Sequence, residues 1–111
     1  MSKFDDAVAK YAEANEQLGL GLDLGLITRA AKSLGPSIYL GDASRVSCSD
    51  KEEKDRVKDR FLIKKMGMTD GPELDAAVAK VCDMLGSSNP NKWRALFYAL
   101  LAKHFGRDGE L

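Results

Sequence analysis

The chain has 111 residues, of which 44% are hydrophobic and 31% are charged, and its 17 basic and 17 acidic side chains leave a formal net charge of zero. This length and composition predict one globular domain with a single core, and they exclude a disordered chain and a membrane protein. Because the net charge is zero, only a local patch of charge could attract nucleic acid or an anionic membrane surface.

The first ten residues lack the plan of a targeting sequence. Ser2, Lys3, Phe4 and two aspartates precede any apolar run, whereas a signal peptide is charged first and then continuously apolar. We therefore expect a cytoplasmic protein that makes no contact with a membrane. The two cysteines, Cys48 and Cys82, fit a reducing compartment, and we expect free thiols and no disulfide.

Two helices are predicted at the start of the chain. Ser2 is a candidate N-cap for the first, and Gly19 ends it, since glycine adopts the left-handed conformation that closes a helix at no steric cost. The second begins near Asp23 and ends at residues 35–36, a Gly-Pro pair. The short connection between them predicts an antiparallel helical hairpin.

Helical periodicity disappears over residues 36–48. We expect an ordered loop there, because apolar side chains can anchor it to the helices. These candidate anchors are Ile38, Tyr39, Leu40 and Val46. Residues 38–40 are also compatible with a strand fragment, but the chain offers no partner strand.

A third, highly charged helix follows the loop. Ser49 with Glu52 forms a capping box, and Asp50 with Glu53 is a second possible register for the same start. Gly67 closes this helix. A fourth is predicted from Asp70, as N-cap before a proline in the first turn, to a stop at residue 86.

The last predicted helix, residues 90–105, has the broadest apolar arc in the chain. Its members are Trp93, Leu96, Phe97, Leu100, Leu101 and Phe105. One partner helix cannot cover so wide an arc, so this helix should lie across several others. The predicted fold is therefore all-α: a compact single-domain bundle of about five short helices over residues 1–111, with a long ordered loop between the second and third and a frayed tail at residues 107–111.

Four stretches of the chain are similar to a known group of proteins: residues 35–39, 42–44, 46–50 and 61–65. The chain resembles, from residue 2 to about residue 106, a family of small bacterial proteins known only as a domain of unknown function. The resemblance implies a compact helical fold and brings no assigned activity, cofactor or catalytic residue. The glycine-rich run at residues 19–22 departs from the family, where more polar residues are expected.

No set of residues has the spacing of a catalytic, cofactor or metal site. Cys48 precedes a helix start, where a thiol can become reactive, but a nucleophile needs a base and the chain has a single histidine, His104, with no motif around it. Cys48 is then better explained as a small residue in a cap turn, and His104 as a cap near a helix C-terminus. We expect a non-enzymatic protein with no metal and no cofactor.

Binding another protein, or self-association, is the function that the sequence favours. An ordered loop of this length often carries function, because its polar groups are held in place between anchors. The candidate contact surface is Asp42, Arg45, Ser47 and Cys48. A homodimer is favoured if apolar residues such as Leu62 and Tyr98 exceed what one short core can cover.

Weak nucleic-acid binding is the alternative. Between residues 26 and 65 ten basic residues face six acidic ones, and those of the second and third helices could merge into one basic surface. Its members would be Arg29, Lys32, Lys58, Lys64 and Lys65. A solvated helix surface with mixed ion pairs explains the same residues and is favoured over a binding site.

The order of the loop is directly testable by amide hydrogen exchange and limited proteolysis. We expect slow exchange within residues 37–46 and no cleavage there before global unfolding, because buried anchors hold the backbone. Rapid exchange throughout these residues, with early cleavage, would contradict an ordered loop.

Overall fold

The computed structural model describes residues 2–111, which form five α-helices and no strand, and this confirms the all-α prediction. Residue 1, which the predicted domain boundary included, lies outside the described residues. The helices are α1 (Lys3–Leu18), α2 (Leu24–Leu34), α3 (Lys51–Val57), α4 (Pro72–Leu85) and α5 (Arg94–His104). None of those helices combines the length and the apolarity needed to cross a membrane.

Polar caps set the ends of the first helical hairpin. The Ser2 side chain accepts a hydrogen bond from the Asp5 amide at 3.1 Å, and Asp23 accepts one from the Leu26 amide at 3.3 Å, so both predicted starts are confirmed. Between the two helices the side chain of Asn15 bonds both the amide and the carbonyl of Leu22, each at 3.0 Å. This pair of bonds fixes the turn because it satisfies both backbone groups of one loop residue.

The third helix begins in the second of its two predicted registers. Asp50 is the N-cap and accepts from the Glu52 amide at 3.0 Å. After α3 the chain continues as a π-helical segment, Lys58–Lys65, in which the wider turn is visible where the Met66 amide donates to the Phe61 carbonyl at 2.9 Å. The sequence did not predict this change of helix type, because π-helical turns have no distinct apolar period.

Two predicted helix starts are wrong. Gly71, not Asp70, is the N-cap of α4, and it makes no side-chain cap bond. The Asp70 carboxylate instead pairs with the Lys58 ammonium at 3.2 Å. The last helix begins at Arg94 rather than at residue 90, since residues 92–94 exchange backbone hydrogen bonds with the loop before α3. The Lys92 carbonyl, which accepts from the Val46 amide, is then not available for the intrahelical bond that a helix starting at residue 90 would need.

The core is built around α5. Every residue from 95 to 102 is buried, so this helix has no solvent face in that stretch. Tyr98 is only 7% exposed and stacks on Phe61 with ring centroids 4.1 Å apart, and Leu62 is 0% exposed. Leu62 and Tyr98 are therefore core residues and not apolar surplus at the surface, and the homodimer stays a prediction. The Cα radius of gyration, 12.8 Å, is that of a compact domain of this length.

The tail is held to the domain. Residues Asp108–Glu110 form a 3-10 turn, the Arg107 side chain donates to the Met66 carbonyl at 2.9 Å, and the Arg29 side chain donates to the Asp108 carbonyl at 3.3 Å. These contacts join the end of the chain to α2 and to the end of the π-helical segment.

Phe97 tests the burial of α5. Phe97→Ala should lower the free energy of unfolding by about 3 to 5 kcal/mol, because it leaves a cavity at a residue that is 0% exposed. The matched control is Leu24→Ala on α2, where the side chain is 57% exposed and the change should stay within about 0.5 kcal/mol. Chemical denaturation measures both, and similar losses for the two variants would contradict this architecture.

Candidate functional site

The loop between α2 and α3 is docked on the start of α5. It opens with a 3-10 turn, Gly35–Tyr39, and continues over residues 40–50, called here the 40–50 loop. The Val46 amide donates to the Lys92 carbonyl at 2.8 Å, and the Arg94 amide donates to the Ser44 carbonyl at 2.8 Å. Of the predicted anchors, Ile38 and Val46 are each 4% exposed, whereas Tyr39 and Leu40 are 44% and 60% exposed and anchor nothing.

The Arg94 side chain binds the 40–50 loop through hydrogen bonds. Its guanidinium donates to the Ala43 carbonyl at 2.8 Å, to the Arg45 carbonyl at 3.0 Å and to the Glu53 carboxylate at 2.9 Å. The Arg94 and Glu53 side chains are only 14% and 15% exposed. Burial acts to lower the pKa of Arg94, but hydrogen bonds to Glu53 and Tyr98 outweigh it and the net direction is upward. The cation is therefore permanent, and its donors match the loop carbonyls that face them.

The two cysteines form a disulfide, so the expectation of free thiols is wrong. Cys48 in the 40–50 loop is bonded to Cys82 on α4, across 34 residues of sequence and with the Cα atoms 5.9 Å apart. That Cα separation is the ordinary one for a disulfide. The sequence could not place the two residues together, because docking of the loop beside α4 is a tertiary contact.

A cleft of about 680 Å³ lies beside this disulfide. One wall is the 40–50 loop with the first turn of α3, and the other is α4 with residues 87–92. All members of the predicted contact surface line it, namely Asp42, Arg45, Ser47 and Cys48. Its volume is within the range of pockets that hold a ligand or a peptide side chain.

The cationic side chains of the cleft are Arg45, Lys54 and Lys92. Among residues 2–111 none of the three is in a salt bridge. Lys92 is only 8% exposed, and its ammonium donates to the Asn89 carbonyl at 2.6 Å. Two exposed carboxylates, Asp42 and Asp83, also face the cleft, while the carboxylate of Glu53 is engaged by Arg94. The cleft thus offers cationic groups whose charge is not already matched.

The alternative basic surface is partly neutralised. Lys58 pairs with Asp75 at 3.0 Å and Asp70 at 3.2 Å, and these hydrogen bonds raise its pKa. Lys64 pairs with Asp59 at 3.1 Å. Arg29, Lys32 and Lys65 are exposed, and Arg29 is occupied by the tail carbonyl. Carboxylates beside lysines reduce the field that attracts phosphates.

Three residues that shape the site were missed by sequence reasoning: Arg94, Lys92 and Cys82. The first two lie within the helix predicted for residues 90–105, and Cys82 is expected from the sequence to be a free thiol. Cys82 is 9% exposed on α4. A signal existed for Cys82 alone, since two cysteines are the minimum for a disulfide.

A protein-family model matches nearly the whole chain. The model of a family described as a protein of unknown function, DUF2853, matches residues 10–109. A search of curated proteins finds no significant match. The family resemblance predicted from the loop residues is therefore confirmed, whereas bacterial origin stays a prediction.

Arg94 allows a test of how the loop is docked. Arg94→Met keeps most of the side-chain volume but leaves the Glu53 carboxylate and two loop carbonyls without their donor, so unfolding free energy should fall by about 3 kcal/mol. Amide exchange in residues 43–46 should accelerate more than in α1.

Arg56→Met is the matched control, because Arg56 pairs with the same glutamate at 3.4 Å but is 43% exposed. Its removal should cost less than about 1 kcal/mol. Equal losses for the two variants would show that Arg94 does not hold the loop in the way proposed.

Proposed function

The chain belongs to the DUF2853 family of proteins of unknown function, and from that premise we propose that it is a non-enzymatic cytoplasmic module that binds another protein through the cleft. The observation that carries this proposal is convergence: the loop residues favoured by the sequence line one cleft together with three cations that are in no salt bridge among residues 2–111. Docking of residues 43–46 on Arg94 pre-organises this surface, which lowers the entropy lost on association.

The partner that fits this cleft is a peptide segment carrying an acidic side chain or a C-terminal carboxylate. Lys92 on one wall and Arg45 and Lys54 on the other supply donors for a carboxylate. Val46 and Pro90 add apolar surface beside them. Asp42 and Asp83 face the same space, so they select against a uniformly acidic segment and favour one with a single anionic group.

Binding to nucleic acid is the weaker proposal. Its basic residues lie outside the cleft, and Lys58 and Lys64 are paired with carboxylates. Self-association is also less favoured, since Leu62 and Tyr98 are buried in the core.

Selection from a displayed random peptide library tests the proposal. Peptides enriched on the wild-type protein should contain an Asp, a Glu or a free C-terminus. Their affinity should fall by about tenfold or more for Arg45→Glu and for Lys54→Glu, because each change replaces an attraction with a repulsion. The matched control is Lys65→Glu, an exposed charge reversal outside the cleft, which should leave affinity unchanged. Failure to enrich any peptide over the empty matrix, or equal loss for all three variants, would overturn the proposal.

A further inference from the structure

The Cys48–Cys82 disulfide is the covalent link between the 40–50 loop and α4, which lie on opposite walls of the cleft. Cys48 belongs to the loop wall and Cys82 to the α4 wall, and both line the cleft. Cys82 is 9% exposed, whereas Cys48 is half-buried and is therefore the more accessible sulfur. The bond is thus reachable from the space in which a partner would bind.

The two parts of the loop that flank Cys48 are held by different contacts. Residues 43–46 are held to residues 91–92 and to Arg94, the first residue of α5, by the backbone pairing, the Arg94 guanidinium and the Arg45–Asn91 side-chain bond. Residues 47–50 make only local hydrogen bonds among themselves and with the first turns of α3, such as the Asp50 amide to the Ser47 carbonyl at 3.3 Å. Within residues 2–111 no hydrogen bond joins residues 47–50 to α4, so the disulfide is the bonded link between that stretch and α4.

We propose that Cys48 and Cys82 are a reversible dithiol–disulfide site that reacts with low-molecular-weight thiols and sets the opening of the cleft. The consequence for binding rests on the function proposed above, whereas the chemistry of the pair does not. Two features support reversibility. The Arg94 fastening remains when the disulfide is cut, so reduction frees a short stretch and leaves the fold intact. The second feature rests on the cytoplasmic location proposed above, because a protein disulfide in a reducing compartment is usually transient or redox-sensing.

The reaction is thiol–disulfide exchange. The thiolate of a small thiol attacks Sγ of Cys48, the sulfur–sulfur bond breaks, and its electron pair leaves with Sγ of Cys82, which takes up a proton. A second small thiolate then attacks the small-molecule sulfur of the mixed disulfide at Cys48, forming a small-molecule disulfide and releasing the Cys48 thiolate, which is protonated. The protein gains two electrons and the two small thiols lose them. Oxidation is the reverse reaction, with the small-molecule disulfide as oxidant.

The first experiment titrates the intact protein with mixtures of reduced and oxidised glutathione. Free thiols are trapped with N-ethylmaleimide and counted by mass spectrometry, while circular dichroism follows helix content. We expect the pair to pass reversibly between disulfide and dithiol with helix content unchanged. Exchange of amide hydrogens should accelerate in residues 47–54 of the reduced protein and stay constant in α1. A disulfide that yields only on unfolding, or reduction that unfolds the whole domain, would overturn the proposal.

Single-cysteine variants test the direction of attack. With oxidised glutathione, the free Cys48 of Cys82→Ser should form a mixed disulfide faster than the free Cys82 of Cys48→Ser, because Cys82 is nearly buried. Equal rates, or faster reaction at Cys82, would contradict attack at Cys48. Should either variant fail to fold, wild-type protein quenched early in reduction gives the same answer, since the glutathione in the trapped intermediate should be on Cys48.

Peptides selected on the oxidised protein connect the site to binding. Their affinity should differ by about tenfold or more between the oxidised and reduced proteins, and equal affinity would overturn control of the cleft. If no peptide binds either form, the proposed binding function fails, while thiol counting and amide exchange still decide the redox proposal.

Discussion

The burial of α5 on all sides is the constraint on which the rest of this structure depends. A helix whose residues 95–102 have no solvent face must be surrounded. Helices α1, α2 and α4 and the π-helical segment supply that cover. The free-energy gain comes from removing apolar surface from water, at roughly 25 cal/mol per Å². Because α5 is central, its first residue, Arg94, lies against the loop that is docked on the start of the helix.

Arg94 orders the loop that lies over the start of this packed helix. Loops usually run over the exterior with their polar groups in water, but here the Ala43 and Arg45 carbonyls accept from a guanidinium that is 14% exposed. Removing that donor would leave buried acceptors unpaired, which lowers the free energy of unfolding. Residues 43–46 of the loop therefore have one strongly preferred position, and the disulfide holds the rest of the loop beside α4.

The chemistry of the cleft comes from segments that are distant in sequence. Cys48 and Cys82 are 34 residues apart, and Lys92 follows α4 on a turn whose Asn89 carbonyl accepts from its ammonium. On the basic helix surface, by comparison, Lys58 is paired with Asp70 and Asp75, and Lys64 is paired with Asp59. What distinguishes the cleft is that its cations lie together in one concave space with the loop residues.

Local signals in the sequence determined the fold class, most helix ends and the site-bearing loop. Ser2 and Asp23 cap their helices because a short polar side chain can reach the free amides of the first turn. The wide apolar arc around Phe97 identified the buried helix, since periodicity records which faces leave water. Each of these signals acts within a few residues, which is why it can be read without the fold.

Tertiary structure alone decided where α5 begins, which capping register α3 uses, and which residues meet in the cleft. Residues 90–93 have the apolar and polar pattern of a helix start, yet backbone bonds to Ser44 and Val46 hold the end of that stretch extended. Cys82 follows the stripe of a core residue and becomes half of a disulfide only because the loop is docked beside α4. Such pairings join chain segments that are brought together by the burial of α5. The spacing of residues in the sequence does not show how close these segments lie in the fold.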